Sequence, residues 1–310
     1  MTATPELAPA KPDYSFLTED QWQTIRESIA AGECVPFLGA GASLGYEGAV
    51  GLPTGGELAA ELAKECKYPG PDPTDFLRVS QYYEYARAAV QVRRAISRRI
   101  NVPGVEPSRV HRALATLPFS IVLTTNFDNL MERAFAEVEV APGRRKQPQT
   151  TWYPLRGNEQ QLPLVSPEAP LVYKLHGTVD RIDTMLVTED NVVDFLTCVM
   201  LRNPPLPELV RGVFARDTIL FIGYGLRDWN IRVLLRATRE RYGVSAQVGT
   251  PSFAVQRPPD HEGLRQEWSV ITAYWRATEG LRLVDAEAVR FAEGLRDLCN
   301  PSTLPSPPDQ

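Results

Sequence analysis

The sequence predicts an α/β fold, a doubly wound and mostly parallel sheet with a helical insert. Three observations lead there. First, four apolar runs without polar alternation, Cys34-Val35-Pro36-Phe37-Leu38, Ile121-Val122-Leu123, Leu171-Val172-Tyr173 and Leu220-Phe221-Ile222, read as strands buried on both faces of a parallel sheet. Second, each run closes on a polar or glycine-rich cluster: GAGAS at 39–43, TTNFD at 124–128, KLHG at 174–177 and GYG at 223–225. Third, helix-spaced apolar residues separate the runs, the alternation expected of a doubly wound sheet. Ligands of such sheets bind beyond the carboxyl ends of the strands. Asn126, Asp128 and His176 are therefore expected around one cleft, although 50 positions separate the first from the last.

Taken in order, residues 1–15 are polar and rich in Pro and Ala and predict a disordered arm; 301–310 predict a disordered tail. The folded domain is expected over 16–300. Trp22, Ile25 and Ile29 mark the buried face of a helix over 19–31. The strand at 34–38 and the GAGAS turn follow. From 57 to 117 the chain is helical in pattern, broken at Pro69-Gly70-Pro71 and Pro103-Gly104, and reads as a helical insert. There Tyr85, Ala89, Val92, Ile96 and Ile100 form an expected apolar face, and Arg93, Arg94, Arg98 and Arg99 a solvated one. A strand over 120–124 leads to a helix over 129–138 with Leu130, Ala134 and Val138 inward. The polar, Pro-rich stretch 141–170 predicts a long connection or hairpin.

The strand at 171–175 opens a second insert over 178–215, with a helix near 192–201. A strand at 218–222 leads into a helix over 229–241. Its inner face is Ile231, Leu234 and Leu235, and Arg232, Arg236 and Arg239 recur on its outer side. Strands are expected at 252–255 and 270–273, and a closing helix at 286–298. There is no internal repeat and no heptad run.

Composition sets the bounds. A chain of 310 residues with 43% apolar and 23% charged residues has an ordinary globular balance. No apolar stretch approaches the roughly 18–20 residues that cross a bilayer, and the N-terminus lacks the apolar core of a secretory signal. Cys34, Cys66, Cys198 and Cys299 stand singly, which suggests reduced thiols in a cytoplasmic protein and no disulfide framework. A net charge of −5 argues against direct nucleic-acid binding.

Each motif has a functional reading and a plainer one. The turn at 39–43 follows a strand, where glycine lets the backbone approach an anion and a helix N-terminus presents free N–H groups. It is not a P-loop, because no Gly-Lys-Ser/Thr follows. It is not the dinucleotide fingerprint either, because Leu44 occupies the third glycine's place; a tight structural turn is the alternative. Asn126 and Asp128 are candidates for ligand contact or for capping the next helix. Asp228 is open to both readings as well. His111, beside Val110 and Leu114, reads as structural, and His261, in a Pro-Pro-Asp-His stretch, as solvated.

Taken together, GAGAS at 39–43, GLP at 51–53, TTNFD at 124–128, LHG at 175–177 and FIGYGLRD at 221–228, in this order, resemble the sirtuin superfamily. More narrowly they resemble its sirtuin-like branch of bacterial NAD-consuming proteins, over about 34 to 298. The resemblance implies a Rossmann-like sirtuin core and NAD as substrate. It implies catalytic roles for Asn126 at the nicotinamide ribose or an attacking water, His176 at the ribose hydroxyls as base or orienter, and Asp128 at the nicotinamide carboxamide. It implies NAD-binding positions at Gly39, Ala40, Gly41, Ser43, Pro53, Thr125, Gly223, Tyr224, Gly225 and Asp228.

The departures from the deacetylases are equally informative. Their two C-x-x-C pairs bind zinc between the catalytic His and the later glycine motif; that interval here holds only Cys198, so no zinc is expected. Their G-I-P-D-F-R becomes Gly51-Leu52-Pro53-Thr54-Gly55-Gly56, and Thr125 stands where they carry Gln. The implied function is an NAD glycohydrolase releasing nicotinamide and ADP-ribose, an NAD-depleting antiphage effector. The alternatives are ADP-ribosyl transfer or deacylation on a protein, and a non-catalytic NAD or ADP-ribose sensor. The implied partners are a homo-oligomer and an ATPase/translocase or an Argonaute-like protein, with no direct membrane contact.

Overall fold

A computed structural model describes residues 14–157, 161–225, 229–239, 251–258 and 262–299. Most of the expected arm, the tail, Asp228 and His261 lie outside these. The elements are α1 (Glu19–Ala30), β1 (Cys34–Leu38), α2 (Gly55–Cys66), α3 (Phe76–Ala86), α4 (Ala89–Ile100), α5 (Arg109–Ala115), β2 (Ile121–Thr124) and α6 (Leu130–Glu137). Then come β3 (Glu139–Ala141), β4 (Arg144–Arg145), β5 (Gln149–Trp152), β6 (Leu171–Lys174), α7 (Glu189–Leu201), α8 (Glu208–Arg216) and β7 (Thr218–Ile222). The last are α9 (Trp229–Arg239), β8 (Ser252–Val255), α10 (Glu262–Glu279), β9 (Leu281–Val284) and α11 (Ala288–Cys299).

Seven strands form one sheet in the order β5-β6-β2-β1-β7-β8-β9, and every neighbouring pair is parallel. β3 and β4 make a separate antiparallel pair. The chain places β2 on one side of β1 and later returns to place β7 on the other, so the order reverses around β1. Lys174, Thr124, Leu38 and Ile222 pair across one row at the carboxyl ends of β6, β2, β1 and β7. The residues just past that row carry all four motifs.

Alternation along the central strands divides the core between the two faces of the sheet. Cys34, Leu38, Val122 and Val172 face a layer with Ile25 of α1, Leu114 of α5, Phe135 of α6 and Leu295 of α11. Val35, Phe37, Leu123 and Tyr173 face the layer with Phe195 of α7, Phe214 of α8, Leu234 of α9 and Trp275 of α10. Burial on both faces is why these strands carry no polar alternation. A third cluster joins Leu62 of α2, Val79 and Tyr83 of α3 and Ile96 of α4 to Met185 and Val187. The helical stretch after the GAGAS turn thus packs on the segment that follows His176.

Five expectations need correction. Residues 270–273 lie inside α10 rather than in a strand, and the strand is β9. Val-Ile-Thr at 270–272 favours a strand locally, but Trp268, Ile271 and Trp275 share a helical stripe that packs on the core. The stretch 141–170 begins in the β3–β4 antiparallel hairpin, as one alternative had it, but it also contains β5, an edge strand whose Gln-Thr-Thr-Trp sequence has no apolar run to mark it. Tyr85 is on α3, not in line with α4, and is 73% exposed. Arg93 is not solvated: it donates to the Met185 carbonyl at 3.1 Å and to Asn191 Oδ1 at 3.1 Å, latching α4 to α7. At the N-terminus Tyr14, assigned above to the arm, packs on Trp22 and donates to Asp297 Oδ2 at 2.7 Å.

Candidate active site

The GAGAS turn leaves β1 and at once meets the turn that leaves β7. Gly39 N–H donates to the Ile222 carbonyl at 3.0 Å and Gly41 N–H to the Gly223 carbonyl at 2.9 Å. A Cβ on Gly41 would stand 2.8 Å from Gly223 Cα, and Gly223 has φ +71°. Glycine is required at both because two backbones cross here without room for side chains. These two N–H groups are engaged within the protein, so they are not free to cradle phosphate as the sequence alone suggested. Ala40 and Ser43 border the cavity that opens beside this crossing, Ala40 as an exposed residue.

TTNFD leaves β2 one strand over. Thr124 Oγ1 donates to the Leu38 carbonyl at 2.9 Å and accepts from Asn126 N–H at 2.9 Å, which turns the chain out of the strand. Asn126 Nδ2 then donates to the Gly39 carbonyl at 3.0 Å and to Ser43 Oγ at 3.3 Å. With both amide hydrogens so engaged, Oδ1 is the end of the side chain left to accept from a ligand. Ser43 Oγ donates to Asp128 Oδ2 at 3.0 Å, and Leu130 N–H donates to Asp128 Oδ1 at 3.0 Å. The N-cap of α6 is Asn129, whose side chain makes no capping bond; Asp128, one residue earlier, instead takes up the first N–H of the helix and also stands on the cavity wall.

His176 follows β6 and is half-buried, its ring edge-on to Phe195 at 5.5 Å between centroids. Burial pushes its imidazole down to about 4, so it is neutral at physiological pH. Gly177, with φ +84°, turns the chain sharply behind it; a Cβ there would stand 2.1 Å from the Thr184 carbonyl oxygen. Leu186 N–H donates to the His176 carbonyl at 2.9 Å and fixes the far side of this turn.

One cavity of about 390 Å³ joins these pieces. Asn126, Asp128 and His176 all line it, as do Gly39, Ala40, Ser43, Pro53, Thr125, Gly223, Tyr224 and Gly225. Gly41 is not among the described lining residues; it is spent on the crossing with Gly223. Sequence reasoning missed its apolar lobe, formed by Leu58, Phe76, Leu77 and Ile100 of the helical segment with Leu186 and Val192. Their spacing is that of ordinary core residues, so no local signal separates lining from packing. Asn230, at the start of α9, also borders the cavity. No Lys or Arg is among its described lining residues.

His111 is buried behind the site. Its Nδ1 accepts from Ser108 N–H at 3.1 Å, and Ser108 Oγ donates to the Ala42 carbonyl at 2.6 Å, tying α5 to the GAGAS turn. Burial pushes His111 down to about 4, against the pull of nearby Asp128. Among the described residues no three His, Cys, Asp or Glu side chains converge as a metal site, and no helix is long and apolar enough to cross a membrane.

Comparison with known proteins places this arrangement among relatives. The SIR2-like domain model matches residues 120–282. The chain is 29% identical over 220 residues to NAD(+) hydrolase ThsA of Enterococcus faecium, covering 69% of this chain and 41% of that protein. Against NAD(+) hydrolase ThsA of Acinetobacter baumannii it is 26% identical over 240 residues, 74% of this chain and 46% of that one. Against Defense-associated sirtuin 2 of Bacillus subtilis it is 24% identical over 269 residues, 86% and 24%. The chain therefore spans less than half the length of each of these relatives.

Proposed function

This chain belongs to the SIR2-like domain family, and on that footing we propose that its cleft binds NAD and hydrolyses the nicotinamide–ribose bond, giving nicotinamide and ADP-ribose. The observation that carries the reading is the convergence of Asn126, Asp128 and His176 from two adjacent strands onto one cavity beside the crossed glycine turns. The NAD(+) hydrolase names of the relatives support it.

Nicotinamide departs through an oxocarbenium-like state, so the protein must orient the ribose, hold the leaving ring and bring water to the anomeric carbon. Asn126 offers a carbonyl oxygen whose amide end is already anchored, a rigid acceptor for a ribose hydroxyl or the attacking water. Asp128, held by Ser43 and by Leu130 N–H, has lone pairs left for the carboxamide of the leaving ring. Neutral His176 is in the form that accepts a proton. The apolar lining residues Leu58, Phe76, Leu77, Ile100, Leu186 and Val192 give water little to bind in their part of the cavity.

The biological setting we propose is depletion of cellular NAD in the bacterial cytoplasm during phage infection. An unrestrained NAD hydrolase would kill its own host, so activity is gated by self-association or by a partner of the ATPase/translocase or Argonaute-like kind. Incubating the purified protein with NAD tests the chemistry. Free nicotinamide without an acceptor supports hydrolysis; release only with a protein acceptor supports transfer or deacylation; tight binding without release supports a sensor. Light scattering beside that assay tests the gating, and a fully active strict monomer would count against it.

A further inference from the structure

We propose that Lys174 is a positioning residue for this cleft: through the main-chain carbonyl of Asp128 it sets where the 125–129 loop, and with it Asn126 and Asp128, stands against the substrate. The proposal rests on the hydrolase reading of the same site. Lys174 is the last residue of β6, paired with Thr124 of β2, directly beneath the loop that leaves β2. It is 1% exposed. Its Nζ donates to the Asp128 carbonyl and forms an ion pair with Glu132 Oε1 at 3.1 Å, in the first turn of α6. Asp128 is thus pinned at both ends, its carbonyl by Lys174 and its carboxylate by Ser43 and Leu130 N–H.

A buried ammonium at this place needs a reason. Taking both charges of an ion pair out of water costs more than their attraction returns unless every remaining lone pair is satisfied. Here Glu132 Oε2 is buried without a hydrogen-bond partner, and burial pushes the Glu132 carboxyl up although Lys174 pulls it down. A pair so incompletely satisfied is a poor stabilising device, and apolar side chains of similar volume would hold β6 to α6 at least as well. What apolar side chains could not do is donate to the Asp128 carbonyl. The loop's other main-chain anchors are the Thr125 N–H bond to the Leu38 carbonyl at 3.3 Å, the Asn126 N–H bond to Thr124, the Val179 N–H bond to the Phe127 carbonyl at 2.8 Å and the Arg133 N–H bond to the Asn129 carbonyl at 3.1 Å. None of them holds the main chain of Asp128, the residue that carries the chain from the site into α6.

The test separates positioning from packing. In the Lys174→Met, Glu132→Leu double variant both charges go and the volume stays. We expect a Tm at or above wild type, kcat for nicotinamide release down about tenfold to a hundredfold, and faster amide exchange confined to 126–130. Glu132→Gln alone keeps the Lys174 bond to Asp128 and is expected to retain wild-type kcat, even at a lower Tm. If the apolar pair does not fold, Lys174→Met with Glu132→Gln carries the same comparison, since it too leaves no side-chain donor at 174 and no charge at 132. Wild-type kcat and unchanged exchange at 126–130 in a folded variant lacking the lysine would overturn the proposal. A wild-type protein that releases no nicotinamide would instead sink the hydrolase reading, and amide exchange alone would then decide the role of Lys174.

Discussion

Ser43 and Asp128, 85 positions apart, are joined by a hydrogen bond of 3.0 Å from Ser43 Oγ to Asp128 Oδ2, and Asn126 Nδ2 meets the same hydroxyl at 3.3 Å. One small side chain thereby couples the turn after β1 to the polar cluster after β2. It is 3% exposed, so water does not replace it readily when it is removed. Ser43→Ala should therefore cost about 1–3 kcal/mol of stability by leaving buried polar groups unpaired. It should also cut nicotinamide release, because two of the three chemical groups lose their shared anchor. Full turnover in Ser43→Ala would show that the hydroxyl only fills space.

Asn126→Ala removes the one rigid carbonyl acceptor facing the proposed ribose site. Loss of a single oriented polar contact in a dry site costs about 10²–10³ in kcat, and that is the expected fall. The fold should survive, since the Gly39 carbonyl keeps its bond from Ala42 N–H at 2.9 Å. Single-turnover nicotinamide release together with thermal melts checks both halves. A folded variant with near-normal kcat would remove Asn126 from the chemistry.

Gly225 offers a cleaner probe of where substrate lies. Among the described residues an added Cβ there meets nothing within 4 Å. Gly225→Ala should leave the Tm unchanged, yet raise the KM for NAD if the dinucleotide runs close to this backbone. By contrast Gly223→Ala should lower the Tm, because a Cβ there would stand 2.2 Å from Ala42 N at φ +71°. An unchanged KM in Gly225→Ala would move the nucleotide away from the turn after β7.

The two described histidines govern the acid limb. Burial lowers both His111 and His176 from the ordinary 6.5 to about 4. Across that window the unfolded chain takes up protons at both positions that the folded chain refuses, so their contribution is complete above about pH 6.5 and declines as pH falls toward 4, partly offset by Asp217, whose carboxyl burial pushes up to about 6. Urea melts from pH 7 to pH 4 should show this slope, and His111→Gln should make it shallower. The kcat/KM profile should be level through pH 6.5 and break only near His176's lowered value. A break at 6.5 would mean that His176 titrates as an exposed imidazole.

Much of the fold and of the site could be read from the residues alone, and the reason is local. A strand buried on both faces must be apolar at every position, so β1, β2, β6 and β7 announce themselves without their neighbours. In a parallel sheet such strands end on the same edge, so the clusters after them converge, which is how Asn126, Asp128 and His176 could be placed together. Where burial is partial the signal fades. β5 is polar and half-exposed at an edge, and its four residues look like loop.

The sequence by itself determined the central strands, the motif order and the candidate polar groups, because burial on two faces and helical spacing leave marks in adjacent residues. Only the tertiary structure decided what depends on register between distant segments. Residues 270–273 became helix because Trp268, Ile271 and Trp275 reach one core layer. Gly39 and Gly41 gave their N–H groups to the β7 turn rather than leaving them for a ligand. Arg93 turned from a solvated face to latch α4 onto α7. Lys174 closed β6 as a buried ammonium under Asp128, a position no composition or periodicity could reveal. In each case the partner lies tens of residues away, and its distance is fixed by how the layers stack rather than by any residue beside it.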